Sequence, residues 1–301
     1  MTKIIVIGGP TASGKTTLAI ELAKRLDGEI INADSMQIYK EMQIGTARPT
    51  KEEMQGIKHY LFGIKSVADS FSVADYQKLA RETIAKVLKK NKVPILIGGT
   101  GLYLKSVLYD YDFQEVNARE NETKYDDLTN DELYQKLVEI DPEAAAKTHP
   151  HNRKRVLRAL QISESGTTKT EMIAKQSHNL QYDCVFVGLT MSRKLLYERI
   201  DERIAKMMEQ GLTGEAKKVL ELASPGSTAL QAIGYKEFIP YFNHSQDIIQ
   251  TVANIKTNTH HYAKRQYTFF NNQFEVNWYN LEGQNLNSII NDIISIYQED
   301  K

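Results

Sequence analysis

The sequence predicts an α/β fold, a parallel sheet flanked by helices, and three observations carry that prediction. Short apolar runs alternate with segments of helical period, the pattern of βα units. Two of these runs empty into glycine-rich turns, at Gly8-Gly9 and at Gly98-Gly99-Thr100-Gly101. The first turn carries Gly9, Gly14, Lys15 and Thr16 at the spacing G-x-x-x-x-G-K-[ST], with a strand-like run at residues 4–7 before it. The fold class is therefore P-loop NTPase-like, and its ligands belong at the carboxyl ends of the strands.

Taken in order, residues 4–7 form the first strand, and Leu18, Ala19, Leu22 and Ala23 give the following helix its apolar face. Residues 29–33 form a second strand that ends in Asp34-Ser35-Met36-Gln37, and residues 40–49 are irregular, punctuated by Gly45 and Pro49. Ser72 caps a helix running to about Lys90, and residues 94–97 form a buried strand leading into Gly98 and Gly99. These strand ends bring the phosphate loop, Asp34 to Gln37 and Gly98 to Gly101 around one crevice.

The composition then shifts: residues 110–143 hold twelve acidic and three basic residues and no apolar strand. A mainly helical insertion is expected over 111–182, interrupting a core made of 1–110 and 183–301. Within it, Lys147, Arg153, Lys154, Arg155 and Arg158 form a basic run with no interleaved acid, and helical spacing gathers Lys154, Arg155 and Arg158 on one side. A solvated face and an anion or nucleic-acid contact fit that run about equally. Residues 183–189 form a return strand, and Ser192 caps a long helix carrying Arg193, Arg199 and Arg203 up to Gly211. A last long helix starts near Gln246, followed by an edge strand at 276–279 and a helix through Ile290 and Ile293.

The bulk numbers narrow the function classes. With 301 residues and a formal net charge of zero, any nucleic-acid site is a local patch, not a global field. One cysteine, Cys184, excludes a disulfide framework and a multi-cysteine zinc site and fits a reducing compartment, so a cytoplasmic protein is expected. No apolar run approaches membrane-spanning length. The histidine spacings offer no zinc quartet, which leaves magnesium as the expected metal.

Glycines let Gly9, Pro10, Thr11, Ala12, Ser13 and Gly14 curl so that backbone N–H groups face an anion. Lys15 adds a mobile charge, and the Thr16 hydroxyl is the expected magnesium ligand. The occupant is left open: a nucleotide or any diphosphate suits the same cradle. Asp34 can act as a base or as a turn aspartate. The Gln37 amide can pair with an adenine edge, and Thr100 stands where a hydroxyl meets a ligand.

The runs GGPTASGKTTLA, NADSMQIYKEMQIGTARP, GGTGLYLKSVLYD, NRKRVLRAL, QAIGYKEF and YAKRQYTFF, spread from residue 8 to about 270, together resemble the bacterial tRNA dimethylallyltransferase (tRNA isopentenyltransferase) family. The resemblance implies a P-loop core with a helical insertion that grips the tRNA anticodon stem-loop, and Mg2+ as the required ion. It implies that residues 9–16 bind the diphosphate of dimethylallyl diphosphate, and that the allyl group passes to N6 of the adenosine 3′ to the anticodon, position 37, in tRNAs reading codons that begin with U. Asp34 matches the family's general base, with Lys15, Thr16 and Arg203 countering charge on the leaving diphosphate and Thr100 near the adenosine. Asp34, Ser35, Met36, Gln37, Thr100, Lys154, Arg155 and Arg158 would meet the tRNA. A monomer is expected.

Two features depart from the family pattern: the stretch from Phe113 to Asp131 is short, and Phe269 stands where tryptophan is common. The principal rival is an ATP-dependent nucleotide or small-molecule kinase, with a regulatory NTP-binding module as a third class.

Overall fold

The computed structural model describes residues 2–111, 123–125, 127–174 and 179–299. They form two compact units, one made of Met1–Leu108 with Gln181–Lys301 and one of Tyr109–Leu180. Each junction lies two residues before the one expected, because the antiparallel bridge Tyr109–Leu180 and the Asp110 N–H to Asn179 carbonyl bond (3.2 Å) already belong to the second unit.

In chain order the elements are β1 (Lys3–Gly8), α1 (Lys15–Leu26), β2 (Gly28–Asn32), β3 (His59–Tyr60), α2 (Val73–Leu88), β4 (Val93–Ile97) and α3 (Gly101–Leu108). The second unit holds α4 (Asn130–Ile140), α5 (Pro142–Ala146), α6 (Arg153–Glu164) and α7 (Lys169–Ala174). The first unit resumes with β5 (Asp183–Thr190), α8 (Arg193–Glu209), α9 (Leu212–Leu222), α10 (Ile239–Phe242), α11 (Ile248–Gln273), β6 (Asn277–Asn280) and α12 (Leu286–Gln298).

The six strands pair in the order β3-β2-β4-β1-β5-β6, and every pairing is parallel. Strands covered on both faces must be continuously apolar, and Ile4, Ile5, Val6 and Ile7 are wholly buried. On one face Leu18, Leu22, Ile290 and Ile293 from α1 and α12 pack against Ile5, Ile30, Ile95 and Val187. Each such side chain contributes roughly 1.5–3 kcal/mol. Helix α2 begins at a capping box in which Ser72 and Asp75 satisfy each other's backbone N–H groups.

The second unit has its own core of Leu133, Leu137, Val156, Ala159 and Leu160. Much of the stretch read as shortened, Phe113 to Asp131, lies outside the described residues. Among the described residues no helix is long and apolar enough to cross a membrane.

Candidate active site

The phosphate loop leaves β1 through three left-handed residues, Gly9 (φ +123°), Ala12 (φ +61°) and Gly14 (φ +91°). Glycine adopts this region freely, whereas Ala12 carries a local cost of about 1–2 kcal/mol. Gly14 caps α1 without a side chain, so the first N–H groups of the helix remain available to an anion. The half-buried Lys15 turns back over the loop and donates from Nζ to the Gly9 (3.1 Å) and Pro10 (2.5 Å) carbonyls. The buried Ser13 hydroxyl has no hydrogen-bond partner among the described residues. Thr16 is exposed on the first turn of α1.

Opposite the loop, past the carboxyl end of β2, the Asp34 Oδ1 accepts from the Met36 (2.9 Å) and Gln37 (3.3 Å) N–H groups. Its Oδ2 accepts no hydrogen bond among the described residues. Thr100, past the end of β4, accepts from the Ser35 N–H (3.0 Å) and donates to the Ser35 hydroxyl (3.1 Å). Gln266 on α11 then ties two loops together. Its Oε1 accepts from the Thr11 N–H and its Nε2 donates to the Gly99 carbonyl, both at 2.9 Å.

The glycines here are spaces for neighbours. A Cβ on Gly99 would lie 2.1 Å from Gln266 Nε2, and one on Gly98 2.1 Å from the Ala33 carbonyl oxygen.

Arg203 enters from α8 and donates from Nη2 to the Thr46 carbonyl at 3.1 Å. Burial lowers the pKa of its guanidinium, against the pull of Asp34 and Glu53. Burial, with the neighbouring Arg203 charge, brings Lys15 down to about 7, while Asp34 partly offsets both. Burial and the Asp34 charge push the Tyr262 hydroxyl well above its ordinary range, so it stays protonated beside Thr100 and Gln266.

Two cavities meet at these residues. The smaller, roughly 180 Å³, is walled by the phosphate loop with Gln37, His59, Gly99 and Gln266. The larger, roughly 340 Å³, has Ile200, Ile204, Met207, Ile233 and Ile255 in its wall beside Ser35, Met36, Lys236, Tyr262 and Arg265. Thr11, Asp34, Thr46 and Arg203 line both. A carboxylate and a guanidinium therefore stand where the two chambers meet.

Three expectations gain detail from the structure. Gln37 lines the smaller cavity, and its Nε2 donates to the Thr46 (2.9 Å) and Ala47 (3.4 Å) carbonyls, so its donor is committed to holding the 46–47 turn. Residues 40–49 are irregular in outline yet firmly bound. The Glu215 carboxylate accepts from the Gln43, Ile44 and Gly45 N–H groups at 2.9–3.0 Å and from the Tyr235 hydroxyl at 2.7 Å. The basic run is not uniform: Lys147 pairs with Glu143 (2.7 Å), and Arg153 donates to the Leu128 (2.6 Å) and Tyr125 (2.7 Å) carbonyls. Lys154, Arg155 and Arg158 remain exposed on α6.

Sequence reasoning missed Gln266, Tyr262 and Glu215 as working residues. YAKRQYTFF and QAIGYKEF mark the first two and the Tyr235 partner of the third, but neither run says which loop its side chains hold.

The family model described as IPP transferase matches residues 37–273. The chain belongs to the IPP transferase family. It is 46% identical over 281 residues to a tRNA dimethylallyltransferase of Anoxybacillus flavithermus, covering 93% of this chain and 90% of that one. It is 45% identical over 295 residues to one of Bacillus cereus, covering 96% and 93%.

The solved tRNA delta(2)-isopentenylpyrophosphate transferase of Staphylococcus epidermidis matches with a TM-score of 0.75 at 39% identity, over 100% of each chain. A eukaryotic dimethylallyltransferase acting on tRNA matches with a TM-score of 0.84 at 28% identity, over 98% of this chain and 80% of that one.

Proposed function

We propose that this chain is a tRNA dimethylallyltransferase that moves a dimethylallyl group from dimethylallyl diphosphate to N6 of the adenosine 3′ to the anticodon and releases diphosphate. The observation that carries the reading is the junction of the two cavities at Asp34 and Arg203. The loop amides, Lys15 and Arg203 supply the smaller chamber with donors and positive charge suited to a diphosphate. The larger chamber, with its aliphatic patch beside polar and charged groups, suits an adenine extruded from its stack together with the allyl chain.

In the step itself the N6 nitrogen attacks C1 of the allyl group, and the C1–O bond breaks with its electron pair leaving on the diphosphate. Asp34, whose Oδ2 is uncommitted, takes the N6 proton. The exocyclic amine is a weak nucleophile, so removal of the charge growing on it is worth about 10²–10⁴ in rate. Lys15 and Arg203 counter the charge growing on the departing oxygens. Thr100, held by Ser35 and near Tyr262, positions the base. Lys154, Arg155 and Arg158 are assigned to tRNA phosphates, which fix register without reading sequence.

Magnesium fits the donor set. The Thr16 hydroxyl at the helix start is a hard oxygen ligand of the kind Mg2+ takes alongside phosphate oxygens, and the unpartnered Ser13 hydroxyl leaves a further oxygen in the same loop. No cluster of three histidine, cysteine or carboxylate side chains that could hold another metal occurs among the described residues. Bound there, the ion would neutralise diphosphate charge.

The test is transfer of label from dimethylallyl diphosphate to unmodified tRNA with Mg2+ present. Label in N6-modified adenosine is the expected result. Consumption of ATP with no label in tRNA would support a kinase instead.

A further inference from the structure

The residues lining the smaller cavity include a second with a buried polar atom that has no partner among the described residues, besides Ser13 with its hydroxyl. It is His59, and the atom is Nε2. The ring is fixed from its other side: Nδ1 lies 2.9 Å from the Ile57 carbonyl, and the ring meets Phe62 edge-on at 5.5 Å. A carbonyl only accepts, so Nδ1 carries the proton in the neutral ring and Nε2 is left with its lone pair.

A buried, unmatched nitrogen on a residue lining the cavity is unfavourable unless something completes it. The apolar residues lining the same cavity, Ile30, Ala47, Pro49 and Phe62, carry no side-chain donor or acceptor. The charged groups around the same cavity are Lys15, Asp34 and Arg203. On its own strand, Tyr60 donates to Glu29 and accepts from Lys90, and Lys58 lies over the Tyr60 ring. None of these supplies His59 with a partner.

We propose that His59 is a further ligand of the diphosphate, taking up a proton as the anion enters and donating from Nε2 to a phosphate oxygen. The inference rests on reading the smaller cavity as the diphosphate chamber. Burial keeps the free imidazole neutral near pH 7.5, and an adjacent polyanion reverses that preference. His59 thus adds positive charge to the chamber only while the anion is there, and it returns the proton when diphosphate leaves.

Calorimetry with inorganic pyrophosphate and Mg2+ at pH 7.5, in two buffers of different ionisation enthalpy, measures affinity and proton uptake together. His59→Asn keeps a donor where Nδ1 stood and removes Nε2. His59→Gln places a neutral donor near Nε2.

The wild type is expected to take up close to one more proton per pyrophosphate than either variant. His59→Asn is expected to bind about tenfold more weakly, with His59→Gln recovering most of that loss. Equal affinity and equal proton uptake in the wild type and His59→Asn would overturn the role of His59 while leaving the chamber assignment intact. Failure of the wild type to bind pyrophosphate would overturn both.

Ring resonances of the seven histidines give a measurement on the wild type that does not depend on a variant folding. One must move to its protonated position on adding pyrophosphate at pH 7.5, and no movement sinks the proposal.

Discussion

The phosphate loop and the 35–49 segment wall the same chamber, yet their polar groups are treated in opposite ways. Around the loop, among the described residues, the Ser13 hydroxyl lacks a partner and the first N–H groups of α1 have no side-chain cap. In the 35–49 segment three successive N–H groups close on one carboxylate, Glu215, while Arg48 donates to the Tyr39 (2.7 Å) and Lys40 (3.1 Å) carbonyls. The contrast teaches that conformation alone does not mark a ligand site, since both stretches are irregular. What marks it is where a buried donor or acceptor has been left unmatched.

Breaking the unmatched side has the largest expected effect. Asp34→Asn removes the uncommitted oxygen's basicity but keeps an acceptor for the Met36 and Gln37 N–H groups. Its turnover should fall about 10²–10⁴-fold, with tRNA affinity nearly unchanged in a filter-binding assay. A parallel loss of tRNA binding would make Asp34 a turn residue only.

Breaking the matched side should cost stability. Glu215→Ala strands three N–H groups and the Tyr235 hydroxyl, and denaturant unfolding should show a loss of about 2–4 kcal/mol. Activity measured below the transition should fall much less than for Asp34→Asn.

The Lys15 ammonium supplies a pH test. Its pKa, held at about 7 by burial and then by Arg203, lies below the usual lysine range, so the free protein loses this charge as pH rises through 7. A bound anion favours the charged form, hence pyrophosphate affinity is greatest below pH 7. Above that it falls by up to about tenfold per unit until the liganded pKa is reached. Titration calorimetry between pH 6 and 9, read as the difference from Lys15→Met, isolates this slope from the ionisation of pyrophosphate itself.

The smallest effect sharpens the same contrast on one helix. Arg153→Ala, which frees the Tyr125 and Leu128 carbonyls, should lower stability by about 1–3 kcal/mol. Arg158→Ala should leave the melting temperature in place and reduce the salt slope of tRNA binding by about 0.7–0.9.

The sequence made legible whatever is written locally. The phosphate loop is a spacing, the strands are apolar runs, and the cap at Ser72 is a residue three positions from Asp75. Arg153 and Arg158 look alike in sequence because nothing local says that one meets two carbonyls and the other meets solvent. The two-residue strand β3 was too short to carry a period, and His59 on it gave no signal. Gln37 was legible as a site residue but not as a tie to the 46–47 turn, since its partners lie nine and ten positions away. Glu215 and Gln266 act across 170 and 255 positions, where no motif spacing reaches.

That last separation has a consequence for how the enzyme comes into being. Every residue of the phosphate loop is present once the first sixteen residues have left the ribosome, but the amide that fixes Thr11 to Gly99 arrives only with α11. Contacts this distant pay their loop-closure entropy late. A nascent chain shorter than about 270 residues therefore carries the loop without the Gln266 tie, and the two glycine turns are joined only when synthesis is almost complete.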